Sequence, residues 1–193
     1  MNIALFASGN GSNVQAIIDA ANQGIITENI ACLVCDNSDA YVIERAKATK
    51  LNVLVLEPRD CKSRKQWEGK ILNFLIDNQV DFVVLAGFMR IIGEHLLTHY
   101  QGRMINIHPS LLPQFPGRQS INDAFEANVK ETGVTIHYVD SGIDTGEIIT
   151  QESLKIHEDW TFNELKENIH AIEHRLYPIT IQQTIDKIKK EGI

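Results

Sequence analysis

The sequence predicts an α/β protein, a doubly wound and mostly parallel sheet with helices on both faces and a long helix towards the C-terminus. Two observations predict it. Short apolar runs with almost no polar alternation recur through the first 90 residues, as parallel strands buried on both faces require. Between them lie stretches whose apolar residues return at helical spacing, the alternation that builds a parallel sheet covered by helices.

In chain order, Ile3 to Ala7 is the first apolar run, ended by Ser8-Gly9-Asn10-Gly11-Ser12. Val14, Ile17, Ile18 and Ala21 follow at helical spacing, and Gly24 is placed to stop that helix. Ile30 to Cys35 reads as a second buried strand. Ala40 to Lys50 reads as a helix with Val42, Ile43 and Ala46 on one face, and Val53 to Leu56 as a third strand. Trp67, Ile71, Phe74 and Leu75 mark a further helix, and Phe82 to Leu85 a fourth strand. In the second half, Ile91 to Tyr100 is expected to be a short helix and Met104 to Ile107 a strand. Three prolines in the eight residues from Pro109 to Pro116 remove donors and fix φ, so that loop is stiff and irregular. Val134 to Val139 is a strand, Asp140 to Gly146 a glycine-bearing turn, and Glu147 to Ile156 extends again. One helix runs from about Phe162 to Lys189. No repeat, low-complexity segment or linker interrupts the chain, so residues 1–193 are expected to form one domain.

Composition narrows the function classes. With 44% hydrophobic and 22% charged residues, the chain is an ordinary globule rather than a disordered, collagen-like or coiled-coil one. Eighteen Lys and Arg against 25 Asp and Glu leave a net charge of −7, which disfavours general nucleic-acid binding. A small anion can still be held by backbone amides and a few placed cations. Three cysteines are too few for a disulfide framework. Cys32 and Cys35 form a C-x-x-C, but no second pair exists to complete a zinc site, and they read as buried strand. Met1 to Phe6 has no basic n-region and no stretch approaches about 20 apolar residues. The expectation is a soluble, cytoplasmic protein without a membrane span.

Three motifs can carry chemistry. Ser8-Gly9-Asn10-Gly11-Ser12-Asn13 sits between the first strand and helix, where glycines allow close backbone approach and a helix N-terminus offers free N–H groups. Val14 stands where the dinucleotide fingerprint needs its third glycine. The loop therefore reads as a monophosphate cradle. A dinucleotide site, with Asp36 as its ribose acid, and a plain tight turn are the alternatives. A side chain at Gly11 is expected to obstruct the approach to a phosphate. In Asn106-Ile107-His108 the period of two aims an amide and an imidazole to the same side at the end of a central strand. They suit an oxyanion donor and a proton carrier, or they merely tie down the next loop. Asp140 and Asp144 lie on the turn after the strand holding His137, where a carboxylate can orient an imidazole. Their spacing fails the calcium-loop pattern, and no H-E-x-x-H occurs, so no metal is expected. His137 reads as structural or as a support to the site. His95, His99, His157 and His170 read as surface or capping residues.

Taken in order, Ser8 to Asn13, Ala86-Gly87-Phe88-Met89-Arg90-Ile91, Asn106 to Pro113 and Asp140 to Gly146 resemble the folate-dependent glycinamide ribonucleotide formyltransferases of purine biosynthesis. The resemblance covers essentially the whole chain and implies a Rossmann-like formyltransferase fold. In it residues 1–100 would be the phosphate-binding half, and residues 101–193 the catalytic and folate-loop half. It implies that Gly11, Ser12 and Asn13 hold the ribonucleotide phosphate and that Glu173 meets the ribose. Arg64, Met89, Arg90, Ile91, Ile92, Asn106, Asp140 and Asp144 would border 10-formyltetrahydrofolate as co-substrate. Asn106, His108 and Asp144 would be catalytic. Gln119 stands where some members carry a histidine, and Ser141 where an acid is common.

The resemblance leaves three rivals. A formyl-tetrahydrofolate hydrolase shares the triad but carries an added N-terminal domain, whereas the first strand here starts at residue 2. A non-catalytic nucleotide-binding module would leave Asn106, His108 and Asp144 without a role. Methionyl-tRNA formyltransferase carries a further C-terminal domain and must hold a polyanion, which a chain of net charge −7 opposes. The expected partners are therefore two small molecules, with no nucleic acid or membrane, and a monomer or homodimer as the working unit.

Overall fold

The computed structural model describes residues 1–192; Ile193, the last residue of the expected span, lies outside the described residues. The strands are β1 (Asn2–Ala7), β2 (Asn29–Cys35), β3 (Asn52–Val55), β4 (Phe82–Leu85), β5 (Met104–His108), β6 (Glu131–Tyr138) and β7 (Ile148–Lys155). The helices are α1 (Ser12–Asn22), α2 (Val42–Ala48), α3 (Arg64–Asp77), α4 (Glu94–His99), α5 (Ser120–Glu126) and α6 (Phe162–Glu191). One seven-stranded sheet runs in the order β3-β2-β1-β4-β5-β6-β7. The first five strands pair in parallel. β6 and β7 then turn antiparallel. The strand order reverses between β1 and β4, and the crevice at such a switch point is where open α/β sheets bind ligands.

β1 shows why the pattern folds this way. Ile3, Leu5 and Ala7 face one side, against Val14 and Ile17 of α1 and Tyr177, Ile181 and Ile185 of α6. Ala4 and Phe6 face the other, against Trp67, Ile71 and Leu75 of α3 and Leu96 of α4. Each such fully buried large apolar side chain contributes about 1.5–3 kcal/mol. Cys32 and Cys35 stand three positions apart along β2 and so fall on opposite faces, and they cannot pair. Burial pushes the Cys32 thiol up to about 12 and raises Cys35 as well, so both behave as core residues.

The structure corrects the segment Ile91 to Tyr100. The helix begins only at Glu94, and residues 91–93 run as irregular backbone. Arg64 Nη2 donates to the Ile91 carbonyl at 2.8 Å, taking an acceptor that a helix starting there would need. Ile91 is half exposed and Ile92 is buried, the opposite of a simple helical face. Helix α5 was not expected. Its Ile121, Ala124 and Phe125 have helical spacing, but seven residues are too few for that pattern to stand out.

α6 spans about 45 Å at 1.5 Å per residue and packs along the face that also covers α1. It opens on a capping box between Thr161 and Glu164 and carries Pro178 inside it. Next to that proline, the fully buried Tyr177 hydroxyl donates to the Leu85 carbonyl at 2.9 Å and lies 3.3 Å from that of Ile105. This one side chain ties the helix to the ends of β4 and β5, and so fixes where Glu173, one turn earlier, stands. Tyr177→Phe is expected to lower unfolding free energy by about 1 kcal/mol. A denaturant midpoint that does not move, at constant slope, would show that the hydroxyl contributes nothing.

Candidate active site

At the C-terminal ends of β4 and β5 lies a pocket of about 260 Å³. Asn106, His108 and Asp144 all line it, together with His137, Asp140 and the segment from Met89 to Ile92. The register of β5 on β6 explains the meeting: Asn106 pairs with His137, and His108 with Thr135. The Asp140–Gly146 turn then folds back over the pair, with Asp144 held at φ +54, a left-handed conformation that Asp tolerates better than most residues.

Donor and acceptor chemistry settles the orientation of each group. His137 Nδ1 faces the Tyr138 carbonyl at 2.8 Å, and a carbonyl only accepts, so Nδ1 carries the proton. Its Nε2 then accepts from Asn106 Nδ2 at 3.1 Å, which turns the amide N–H₂ group inward and leaves its second N–H for the pocket. Burial holds His137 below the usual histidine range, in keeping with this neutral form. His108 Nε2 faces the Phe115 carbonyl at 2.8 Å, and its Nδ1 stands 3.4 Å from Asp144 Oδ2. The same Asp144 oxygen accepts from the Gly117 N–H at 2.9 Å. Since Nε2–H is committed to Phe115, Nδ1 is the ring nitrogen left for exchange with Asp144 and the pocket.

Met89 to Ile92 is held by side chains rather than by a ladder. Met89 N donates to Ser8 Oγ at 2.8 Å, Arg118 Nη2 donates to the Met89 carbonyl at 2.6 Å, and Arg90 Nε donates to buried Asp36 at 2.6 Å. Asp36 is thus engaged by an arginine. Arg64, beside Ile91, lines a second pocket of about 580 Å³ with Asp140 and Ser141. Gln119 caps α5 and lines neither pocket.

Gly11, Ser12, Asn13 and Glu173 form a separate cluster at the end of β1. Gly11 precedes α1 at φ +76 and no side chain caps the helix, so the first N–H groups are free to meet an anion. Arg45 of α2 pins the loop through Nε to the Asn10 carbonyl and Nη2 to Asn10 Oδ1, both at 2.9 Å. Glu173 Oε2 accepts from Asn13 Nδ2 at 3.2 Å and from His170 Nδ1 at 2.7 Å. His170 is therefore more than a surface residue. His174, which the sequence reading passed over, stacks on it with ring centroids 6.1 Å apart. Its signal was the spacing of 170, 173 and 174 on one helical face. The two clusters are joined at Ser8, whose N–H donates to the Gly87 carbonyl at 3.1 Å. Among the described residues, no group of three or more His, Cys, Asp or Glu side chains converges to hold a metal.

The Formyl transferase family model matches residues 1–181. The chain belongs to the formyl transferase family. It is 44% identical over 182 residues to a phosphoribosylglycinamide formyltransferase of Bacillus subtilis, covering 94% of this chain and 93% of that one. It is 37% identical over 200 residues to a trifunctional purine biosynthetic protein of Drosophila pseudoobscura, 98% of this chain but 15% of that protein. The crystal structure of a phosphoribosylglycinamide formyltransferase from Bacillus halodurans superposes with a TM-score of 0.94 at 48% identity, covering 97% of this chain and 96% of that one.

For this formyl transferase the structure changes what a Gly11 variant would report. A Cβ on Gly11 would lie 2.3 Å from Val42 Cγ2 and 2.6 Å from Val42 Cβ, so the obstruction falls on α2 as well as on any anion. Gly11→Val is expected to lower the thermal midpoint by several degrees. An unshifted midpoint would refute the collision. Burial also holds His174 below the ordinary value of 6.5, as it does His137. A histidine lowered on folding contributes stability that is intact above the unfolded value and is lost as pH falls below it. Denaturant unfolding should therefore give a lower midpoint at about pH 5.5 than at about pH 7.5. His137→Gln should flatten that difference, and equal slopes in the variant and the parent would count against the burial argument.

Proposed function

We propose that this formyl transferase moves the formyl group of 10-formyltetrahydrofolate to the amine of glycinamide ribonucleotide, a step of purine biosynthesis. The observation that carries the reading is the convergence of Asn106, His108 and Asp144 in one pocket that Ser8 joins to a free helix N-terminus. The pocket suits the folate, with Arg64, Met89, Arg90, Ile91, Ile92, Asp140 and Asp144 around it. The free amides of Ser12 and Asn13, following Gly11, suit a phosphate, and Glu173 suits ribose hydroxyls. The B. subtilis relative and the trifunctional fly protein bear names that support the acceptor and the pathway.

In this reading the amine nitrogen attacks the formyl carbon, a C–N bond forms, and the carbonyl oxygen becomes an oxyanion. The free Asn106 N–H and a proton on His108 Nδ1 face that oxygen. Asp144, 3.4 Å from Nδ1, takes part in carrying the proton from the attacking amine towards the N10 of the leaving folate. The bond from carbon to N10 then breaks. Neither half of the chain works alone: residues 1–100 supply the phosphate loop and one wall of the folate pocket, while residues 101–193 supply the catalytic set and Glu173. We take residues 1–193 as one formyltransferase domain. The three free cysteines support a cytoplasmic enzyme, and we take it as monomeric or homodimeric.

The test is to mix protein, formyl folate and glycinamide ribonucleotide and follow folate absorbance, with methionyl-tRNA as the competing acceptor. Asn106→Ala is expected to lose about 10²–10³ in kcat, and His108→Ala to abolish turnover while calorimetry still detects ribonucleotide binding. Formylation of methionyl-tRNA in preference to the ribonucleotide would overturn the acceptor. An unchanged kcat in Asn106→Ala would remove its amide from the chemistry.

A further inference from the structure

We infer that Ser110 and the main-chain carbonyl of Phe115 act together as a clamp that positions His108 and fixes which of its ring nitrogens carries the anchored proton. The inference rests on the reading of His108 as a catalytic residue. Ser110 is then a positioning residue, acting on the reaction only through His108.

Three independent features build the clamp. Phe115 sits at φ +50 between Pro113 and Pro116, a backbone conformation that a non-glycine residue holds only when its surroundings impose it. Its carbonyl oxygen lies 2.8 Å from His108 Nε2. Ser110 is fully buried, and its single hydroxyl proton is directed at the Gln114 carbonyl at 2.6 Å, with the Phe115 carbonyl 3.3 Å away. Ser110 is itself anchored, since Thr135 Oγ1 donates to its carbonyl at 2.6 Å. Thr135 accepts in turn from Leu112 N at 3.1 Å and from Gln151 Nε2 at 2.8 Å. His108, Thr135 and Gln151 are direct neighbours across β5, β6 and β7, so one row of the sheet holds both the imidazole and the loop that clamps it.

The consequence is chemical. A carbonyl oxygen can only accept, so the nitrogen facing Phe115 must bear a proton. A neutral His108 therefore keeps its one proton on Nε2, and the proton that is gained and lost sits at Nδ1, between Asp144 and the pocket. Without the clamp the ring could place its one proton on either nitrogen. In the other tautomer the site that takes up and gives back a proton would be Nε2, which faces the Phe115 loop and not Asp144 or the oxyanion. A network that only stabilised the loop would have no reason to turn a strained carbonyl towards this ring.

The experiment reads the ring itself. Protein labelled with ¹⁵N-histidine is examined by long-range ¹H–¹⁵N correlation at about pH 8, where an ordinary histidine is neutral. The His108 signals are identified by their loss in His108→Ala. The expected wild-type result is a proton on Nε2. In Ser110→Ala, with folding checked by circular dichroism, the two nitrogen shifts should converge as tautomers mix. Turnover should fall about tenfold in kcat, with both KM values within about twofold, because orientation rather than binding is lost. A wild-type ring protonated at Nδ1 would overturn the proposal, and so would a Ser110→Ala enzyme with unchanged kcat and unchanged shifts. If Ser110→Ala fails to fold, the wild-type tautomer alone decides. If His108→Ala keeps full turnover, it is the catalytic reading that fails, and the tautomer still reports on the clamp.

Discussion

Pairing β5 antiparallel to β6 sets Asn106 opposite His137 and His108 opposite Thr135. Everything at the pocket depends on that register. Side chains alternate along a strand, so a slip of β6 by one residue would send His137 and Thr135 into the apolar layer and bring Ile136 to the other face. The burial of Ile105, Ile107, Val134 and Ile136 on one face therefore fixes the polar pairs on the other. Hydrophobic packing on one face of the sheet thus holds the polar pairs of the other face in place. The change from parallel to antiparallel pairing at this point also lets the turn after β6 fold back over β5.

Much of this was legible in the sequence, for physical reasons that can be named. Strands buried on both faces advertise themselves as unbroken apolar runs, which is why β1, β2 and β4 were readable to within a residue or so. The amphipathic helices α1 and α3 were readable by their spacing. The Asn106–His108 pair was readable as a same-face couple because the period of a strand is two. What local pattern could not show was the partner of each group. That His137 turns the Asn106 amide follows only from the register, and that Asn13 reaches Glu173 follows only from packing α6 against α1. Glu173 entered the expected site through family resemblance, since nothing in its own neighbourhood marks it out. Ile91 to Tyr100 misled for the same kind of reason: its spacing suits a helix, but an arginine far away in sequence claims the Ile91 carbonyl.

The irregular segments obey a common rule. Residues 87–92 and 109–118 have no ladder partners, yet their backbone groups are engaged, because buried polar groups left unpaired are costly. Ser8, Arg64 and Arg118 satisfy the first segment, and Ser110, Thr135, Gln151 and Asp144 the second. A pocket built this way gains shape from side chains that never meet a substrate. Its walls are consequently sensitive to polar substitutions at a distance, where a pocket walled by regular strands would tolerate them.

The two clusters answer different electrostatic demands, and the division follows from where each one sits. The chain is acidic overall, so an anionic substrate must be held by local fields that outweigh the global one. At the end of β1 that field comes from uncapped amides at the start of α1, with Arg45 holding the loop open from behind and no acidic side chain in the first turn. At the ends of β4 and β5, in the reaction we propose, the charge that matters does not exist until the amine attacks. There the Asn106 amide and the His108 imidazole, backed by the Asp144 carboxylate, are directed inward before any substrate arrives. Fixed dipoles of this kind stabilise developing charge without having to reorient, which is the larger part of what such sites contribute. Ser8 links the two clusters mechanically, since its amide and hydroxyl hold Gly87 and Met89 while its neighbours form the glycine loop before α1.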